Sequence, residues 1–349
     1  MPRPRMTYAR AGVDVSQVRK SHEALARLLE STFKTRKGKL GHPVFPIGHY
    51  AGLVDLNDGR VLSLHTDNVG TKVIIAQMMR KYDTVGIDCV AMCANDLICT
   101  GAEPISFLDY LAMAKHDPHI VDQIAVGLVE GAKQAGMAIV GGETAIVPDL
   151  LSRDPGLDLV GMAAGICKRK DLVLGDEIRN GDALVGVASS GIHSNGLTLA
   201  RKILLREYKL KENVPELGRS FGEELLEPTQ IYVKPVLEVT RRLEVHGLAH
   251  ITGGAFAKLD RIVGQARLGA DIEQPPPTPG IFRIIQNRGR VSDREMYRTF
   301  NMGVGFVVIC PQRAEDAVIR LFLRHGHNAF GLGRVQKKRG IRVKDKFIS

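Results

Sequence analysis

Apolar positions recur at helical spacing over residues 16–33, 84–99, 119–136, 196–207, 229–243 and 313–324. Between them fall short apolar runs of strand length, at 61–65, 105–111, 137–140, 157–166, 183–188, 248–251 and 303–309. Strands alternating with helices predict the α/β (α+β) class. A chain of 349 residues has room for about two domains. The charged, turn-rich KRKDLVLGDEIRNGD (168–182) marks the boundary, which gives domains 1–168 and 169–349. The proline cluster EQPPPTPG (273–280) reads as a surface connection.

Polar residues interrupt the apolar elements in a telling way. The helix TVGIDCVAMCANDLICTG (84–101) is apolar nearly all round, which predicts burial, yet it carries Asp88, Asn95 and Asp96. Three readings fit: a salt bridge to a nearby Lys or Arg, an exposed helix edge, or a bound cation. Asp67 ends one strand, Asp109 lies inside another, and Glu143 follows a strand running into Gly141 and Gly142. Carboxylates gathered in apolar elements without clustered His or Cys point to Mg²⁺, which binds through one or two carboxylates plus substrate phosphates.

The stretch around Asp67, HTDNVGTK, resembles phosphate chemistry without being a P-loop, because Thr71 precedes Lys72 and only Gly70 stands before them. Further on, ALVGVASSGIHSNGLTLARKILL (183–205) is a strand, a polar turn and a helix, a setting in which free N–H groups bind phosphate. Ser194 or Asn195 caps that helix or serves a ligand; capping leaves Ser189, Ser190 and His193 unexplained. LAHITGG (248–254) ends a strand in Thr252 and two glycines, and its His250 is either a core histidine or a ligand. No dinucleotide fingerprint, nucleophile elbow or H-E-x-x-H is present.

The formal charge is +10, and its location decides what it means. Residues 1–39 hold ten Lys/Arg against three Asp/Glu, and 334–349 hold seven against one, so the middle is slightly acidic. Basic ends around an acidic body predict solvated tails rather than a nucleic-acid face. No apolar run reaches membrane-span length and the first residues lack a secretory core, so neither membrane nor export is expected. Five cysteines without a C-x-x-C pair read as reduced thiols of a cytoplasmic protein.

In their order along the chain, TYARAGVD (7–14), TDNVGTK (66–72), GIDCVAMCANDLICTGAEPISFLDY (86–110), GGETA (141–145), SSGIHSNG (189–196), AHITGG (249–254) and MYRTFNMGVGF (296–306) resemble the phosphoribosylformylglycinamidine cyclo-ligase (aminoimidazole ribonucleotide synthetase) family. The resemblance covers almost the whole chain. It implies a two-domain fold, each domain a mixed sheet packed with helices, the first binding ATP and Mg²⁺ and carrying the dimer contact. It also implies ATP-dependent closure of formylglycinamidine ribonucleotide to aminoimidazole ribonucleotide, in a homodimer whose nucleotide sites draw on both subunits.

On that reading Asp67, Asp96 and Glu143 hold Mg²⁺ and the triphosphate, with Asn95 and Asp109 supporting and Thr71 and Lys72 on phosphate oxygens. Ser190, His193, Ser194 and Asn195 hold the ribonucleotide, with His250 and Thr252 nearby. Asp67, Asp96, Glu143, His193 and His250 make up the expected catalytic set. FKTRKGKLG (33–41) is a lid contacting nucleotide through Lys37, or a solvated linker. Asn68 stands where the family usually has glycine, and LGHPVFPIGHYAGLVDL (40–56) replaces a glycine-rich segment. Other expectations to be separated are a different ATP-using member of the superfamily and a noncatalytic nucleic-acid binder. No cysteine precedes Cys89, unlike the selenophosphate synthetase pattern.

Overall fold

The computed structural model of the protein describes residues 5–13, 15–151 and 156–349; Asp14 of the TYARAGVD motif lies outside them. Two sheets organise the chain, one built from residues 52–168 and the other from 183–347. The start of the chain departs from the expected division. Residues 5–13 pack on the second unit: the Met6 N–H donates to Gly289 O (3.1 Å), the Tyr8 N–H to Glu295 Oε1 (2.6 Å), and Lys202 Nζ to Ala11 O (2.8 Å).

The first unit runs α1 (Val15–Glu30), a 3₁₀ turn (Ser31–Arg36), β1 (Gly52–Asp55), β2 (Arg60–Asn68), α2 (Lys72–Met79), α3 (Val85–Ile98), β3 (Glu103–Met113), α4 (Pro118–Ala135), β4 (Ala138–Ile146) and β5 (Leu157–Lys168). Its sheet has the order β1-β2-β5-β3-β4, antiparallel except for the β3–β4 pair. α4 shows why these boundaries hold. Asp117 caps it by accepting from His119 N and Ile120 N, Pro118 opens it, and Gly136 ends it in the left-handed conformation. α3 packs on the sheet, with α4 against it, and every α3 residue except Ile87 is buried. The two helices cross backbone to backbone: a Cβ on Gly86 would lie 2.3 Å from Leu128 N, and one on Gly127 2.3 Å from Asp83 O. The opposite face of the sheet is open, with Ile105, Tyr110 and Met162 all exposed.

The second unit runs β6 (Ala183–Ala188), α5 (Leu197–Leu204), a small ribbon of β7 (Asn213–Val214) and β8 (Arg219–Ser220), α6 (Phe221–Leu226), α7 (Val233–Arg242), β9 (Gly247–His250), α8 (Asp260–Val263) and β10 (Gly269–Ile272). It continues with α9 (Gly280–Gly289), α10 (Asp293–Thr299), β11 (Val304–Cys310), α11 (Glu315–Arg324), β12 (Ala329–Gln336), β13 (Gly340–Val343) and β14 (Lys346–Phe347). The main sheet has the order β14-β13-β10-β12-β6-β11-β9. All of β11 is buried, as a strand covered on both faces requires. The cysteines are all free. No helix among the described residues is long and apolar enough to cross a membrane.

Candidate active site

The polar residues of α3 answer to the second unit. Asp88 and Asn95 are seven residues apart and share one helix face. Asp88 Oδ1 accepts from Thr229 N (2.7 Å), Thr229 Oγ1 (2.6 Å), Ser194 Oγ (3.1 Å) and Lys72 Nζ (2.8 Å), and its Oδ2 also lies 2.8 Å from Lys72 Nζ. Asn95 donates to Gln230 O (2.8 Å) and accepts from the Tyr232 N–H (2.9 Å). The segment 229–232 is thus fastened to α3 along a buried polar seam.

This geometry corrects Lys72. Its ammonium is wholly buried, bound to Asp88 and donating to Glu227 O (2.5 Å), so it has no face for a phosphate. Burial presses its pKa below the usual lysine range, with Asp88 opposing. Ser194 is likewise engaged with Asp88. Neither Ser194 nor Asn195 caps α5, whose N-cap is Gly196 in the left-handed conformation. Thr71 Oγ1 meets Thr198 Oγ1 across the seam at 3.0 Å.

At the far end of the seam lie the acids. Asp67 and His65 alternate along β2 onto the face under α3. Asp96 Oδ1 accepts from His250 Nδ1 (2.7 Å), while its Oδ2 has only long contacts, His65 Nε2 at 3.6 Å and Lys258 Nζ at 3.7 Å. With Nδ1–H given to Asp96, His250 Nε2 accepts, and Asn95 Nδ2 faces it at 3.4 Å. Burial would raise the Asp96 pKa, but Lys258, His250 and His65 outweigh it and hold the carboxyl well below the usual range. Burial, then the Asp96 charge, raises Asp67. Burial also lowers His250 against the pull of Asp96, so the ring is neutral.

Asp67, Gly161, Asp109 and Gly142 form one row across the sheet. A Cβ on Gly142 would meet Asp109 Oδ1 at 2.4 Å, so that glycine makes room for the carboxylate. Glu143 belongs to the next row, Asn68–Val160–Tyr110–Glu143, on the open face. The expected set of Asp67, Asp96 and Glu143 is therefore not assembled within one chain. Glu143 is exposed, and its carboxylate accepts only the neighbouring Thr144 N–H (3.0 Å). Asn68 holds its turn, its N–H donating to Asp67 Oδ1 (2.8 Å).

Among the described residues, the donor atoms that do converge are one each from His65, Asp67 and Asp96, all within 4.8 Å of one another. His65 Nε2 is buried without a hydrogen-bond partner among the described residues. That orphaned nitrogen and the underused Asp96 Oδ2 fit a divalent cation.

The ribonucleotide residues cluster next door. Ser190 Oγ donates to Pro228 O (2.5 Å), and His193, at φ 62°, accepts on Nε2 from Ser190 N (3.3 Å) and Gln230 N (3.5 Å). His193 Nδ1 and Asn195 Nδ2 are buried donors without partners among the described residues. Burial, with His250 and Lys72, keeps the His193 ring neutral. Thr252 is buried and accepts from Lys258. Lys37 is exposed at the end of its 3₁₀ turn. The segment replacing the glycine-rich stretch turns inward instead: His49 and Tyr50 are buried, with Lys258 Nζ 5.5 Å and the Arg261 guanidinium 5.7 Å from the Tyr50 ring centroid. Sequence reasoning missed His65, Lys258, Thr229 and Tyr50. Only His65 had a signal, its place two residues before Asp67 on an alternating strand.

The two sheet-and-helix units coincide with two domains of the AIR synthase related class. The family models described as AIR synthase related protein, N-terminal and C-terminal domains, match residues 48–167 and 179–346. The fold is shared with a crystal structure of thiamine-monophosphate kinase from Stenotrophomonas maltophilia (TM-score 0.66, 19% identity, 91% of this chain and 96% of that one). It is also shared with AaThiL complexed with AMPPCP and TMP (TM-score 0.64, 18% identity, 92% and 93%). Among curated proteins, the phosphoribosylformylglycinamidine cyclo-ligase of Thermococcus kodakarensis is 48% identical over 97% of this chain and 98% of its own. That of Methanosarcina acetivorans is 45% identical over the full length of both. The chain belongs to the phosphoribosylformylglycinamidine cyclo-ligase family, and it is a ligase.

Proposed function

We infer that the protein closes the imidazole ring of aminoimidazole ribonucleotide from formylglycinamidine ribonucleotide, using ATP and releasing ADP and phosphate, in purine biosynthesis. The observation that carries this is 48% identity to a named cyclo-ligase over nearly the whole of both chains. An amide oxygen is a poor leaving group. Transfer of the ATP γ-phosphoryl group to the formyl oxygen gives an iminophosphate; a nitrogen of the amidine side attacks that carbon, loses its proton, and phosphate departs with the C–O bond. The chain's task is alignment and charge neutralisation.

Asp67 and Asp96 are the cation-holding carboxylates, and Mg²⁺ there would neutralise charge on the triphosphate. Asp109, in the Asp67 row, and Asn95 support them, and Thr71 lies at the nucleotide turn. His193 Nδ1–H and Asn195 Nδ2 are positioned donors for the ribonucleotide, with Ser190 and Thr252 beside them. His250 fixes the orientation of Asp96. Lys37 is carried on an exposed turn suited to a closing lid.

The assembly is a homodimer formed through the open face of the first sheet, where Ile105, Tyr110 and Met162 leave an apolar surface of the kind that partners cover. Glu143 lies on that face, so it acts at a site completed by the second subunit. The test is ADP release by purified protein with and without formylglycinamidine ribonucleotide, comparing wild type and Asp96→Asn. Substrate-dependent release that the variant loses is expected; wild-type turnover in Asp96→Asn would overturn the metal assignment. A noncatalytic nucleic-acid binder would instead show no ADP release and would hold random duplex at physiological salt.

A further inference from the structure

The third donor of the acidic pair is a nitrogen. β2 carries His65 and Asp67 onto the same face, and α3 brings Asp96 over them. Asp96 Oδ1 is engaged by His250 at 2.7 Å, which leaves Oδ2 turned toward His65 Nε2. At 3.6 Å that pair is too far apart for a hydrogen bond. Yet Nε2 is buried and has no other partner among the described residues. Two underused atoms and an Asp67 oxygen, within 4.8 Å of one another, surround one position. Octahedral bonds of about 2.1 Å place donors about 3 Å apart when adjacent and about 4.2 Å apart when opposite. The 4.8 Å bound lies little beyond that opposite spacing, so small side-chain rotations bring all three onto one ion.

We propose that His65 Nε2 is a direct ligand of the divalent cation held by Asp67 and Asp96, making a mixed nitrogen–oxygen site that favours Mn²⁺ over Mg²⁺. The proposal rests on the reading of Asp67 and Asp96 as cation-holding carboxylates. Mg²⁺ is hard and takes oxygen donors, whereas imidazole suits the first-row transition ions, so the nitrogen sets the preference. The Lys258 ammonium, 3.7 Å from Asp96 Oδ2, is the cation the metal displaces.

The test is equilibrium binding of Mn²⁺ and of Mg²⁺ to the purified nucleotide-free protein, with pulsed EPR of bound Mn²⁺ for imidazole nitrogen coupling. Wild type, His65→Ala, His65→Gln and Asp96→Asn are compared, with thermal melts confirming folding. Wild type is expected to show nitrogen coupling and tighter Mn²⁺ binding. His65→Ala loses the coupling and at least tenfold in Mn²⁺ affinity, with Mg²⁺ affinity changed less than threefold. His65→Gln, which offers oxygen for nitrogen, narrows the gap between the metals without restoring the coupling. Mn²⁺ bound without nitrogen coupling, or equal losses for both metals, overturns the role of His65. If Asp96→Asn keeps full Mn²⁺ affinity, the carboxylate pair itself is misread, an outcome distinct from failure of His65 alone.

Discussion

Lys72 separates two accounts of the TDNVGTK turn, because a phosphate contact and a structural ion pair fail differently when it is replaced. In Lys72→Met the methionine fills the space of the lysine stem, and the ammonium is lost. Asp88 Oδ1 keeps Thr229 N, Thr229 Oγ1 and Ser194 Oγ but loses the Lys72 donor at 2.8 Å, Oδ2 loses its ion-pair contact at 2.8 Å, and Glu227 O loses a donor at 2.5 Å. Breaking a buried pair from one side costs about 3–5 kcal/mol. The three donors left on Oδ1 put this case near the lower end, about 3 kcal/mol, or a melting temperature lowered on the order of 6–12 °C. Adding Asp88→Asn removes the stranded charge, so the double variant should lose less than the sum of the singles, by about 1 kcal/mol or more. The chain has no tryptophan, so far-UV circular dichroism in urea is the suitable assay, alongside the KM for ATP. A Lys72→Met protein that melts like wild type but binds ATP tenfold more weakly refutes the structural account and restores the phosphate role.

Burial, followed by the Arg261 charge, lowers the His49 pKa to about 4, and burial holds His193 well below its ordinary value. Both rings stay neutral in the fold, whereas the unfolded chain protonates each near pH 6.5. For His49, stability is therefore full above about pH 6.5 and falls as pH drops toward about 4, by up to about 1.4 kcal/mol per pH unit, and His193 adds a loss of the same sign as pH falls below about 6.5. Urea unfolding in a descending pH series checks this, and a flat profile refutes it. Lys258→Met removes the ammonium nearest Asp96 and should tighten Mn²⁺ binding to the nucleotide-free protein severalfold while lowering turnover; weaker metal binding would show that the lysine supports the ion rather than competes with it. Met162→Asp sets a charge in the open face of the first sheet and should convert a sedimenting dimer to monomer; an unchanged dimer would place the interface elsewhere.

Periodicity made the two-domain α/β plan legible, down to the termini of β6 (Ala183–Ala188), because uninterrupted apolar runs suit strands buried on both faces. The site was legible in its acids and less so in their grouping. Glu143 shows why. Phe107 pairs with Ile139, but Leu108 pairs with Gly141, so β4 has a bulge at Val140. Without that extra residue Glu143 would pair with Leu111, on the side of Asp109. One inserted residue turns every later side chain over, and nothing in GGETA announces it. The ion pair of Lys72 is hidden in the sequence for a different reason. Its partner Asp88 is sixteen residues away and meets it only through the packing of α2 beside α3. β12 escaped notice because AFGLGRVQ breaks its alternation at two glycines, where the pairing with β6 shifts register.

β12 lies between β10 and β6, in the interior of the seven-stranded sheet, although β9, β10 and β11 all precede it in the chain. During synthesis β6 and β11 can pair as soon as Cys310 has emerged, but β6 then presents a bare apolar edge until residues 329–336 arrive. β10 has no neighbour in the main sheet before that moment. The nascent chain therefore carries a templating edge from the emergence of β11 until β12 follows it, so pairing of a late strand, rather than collapse of the first domain, closes this sheet.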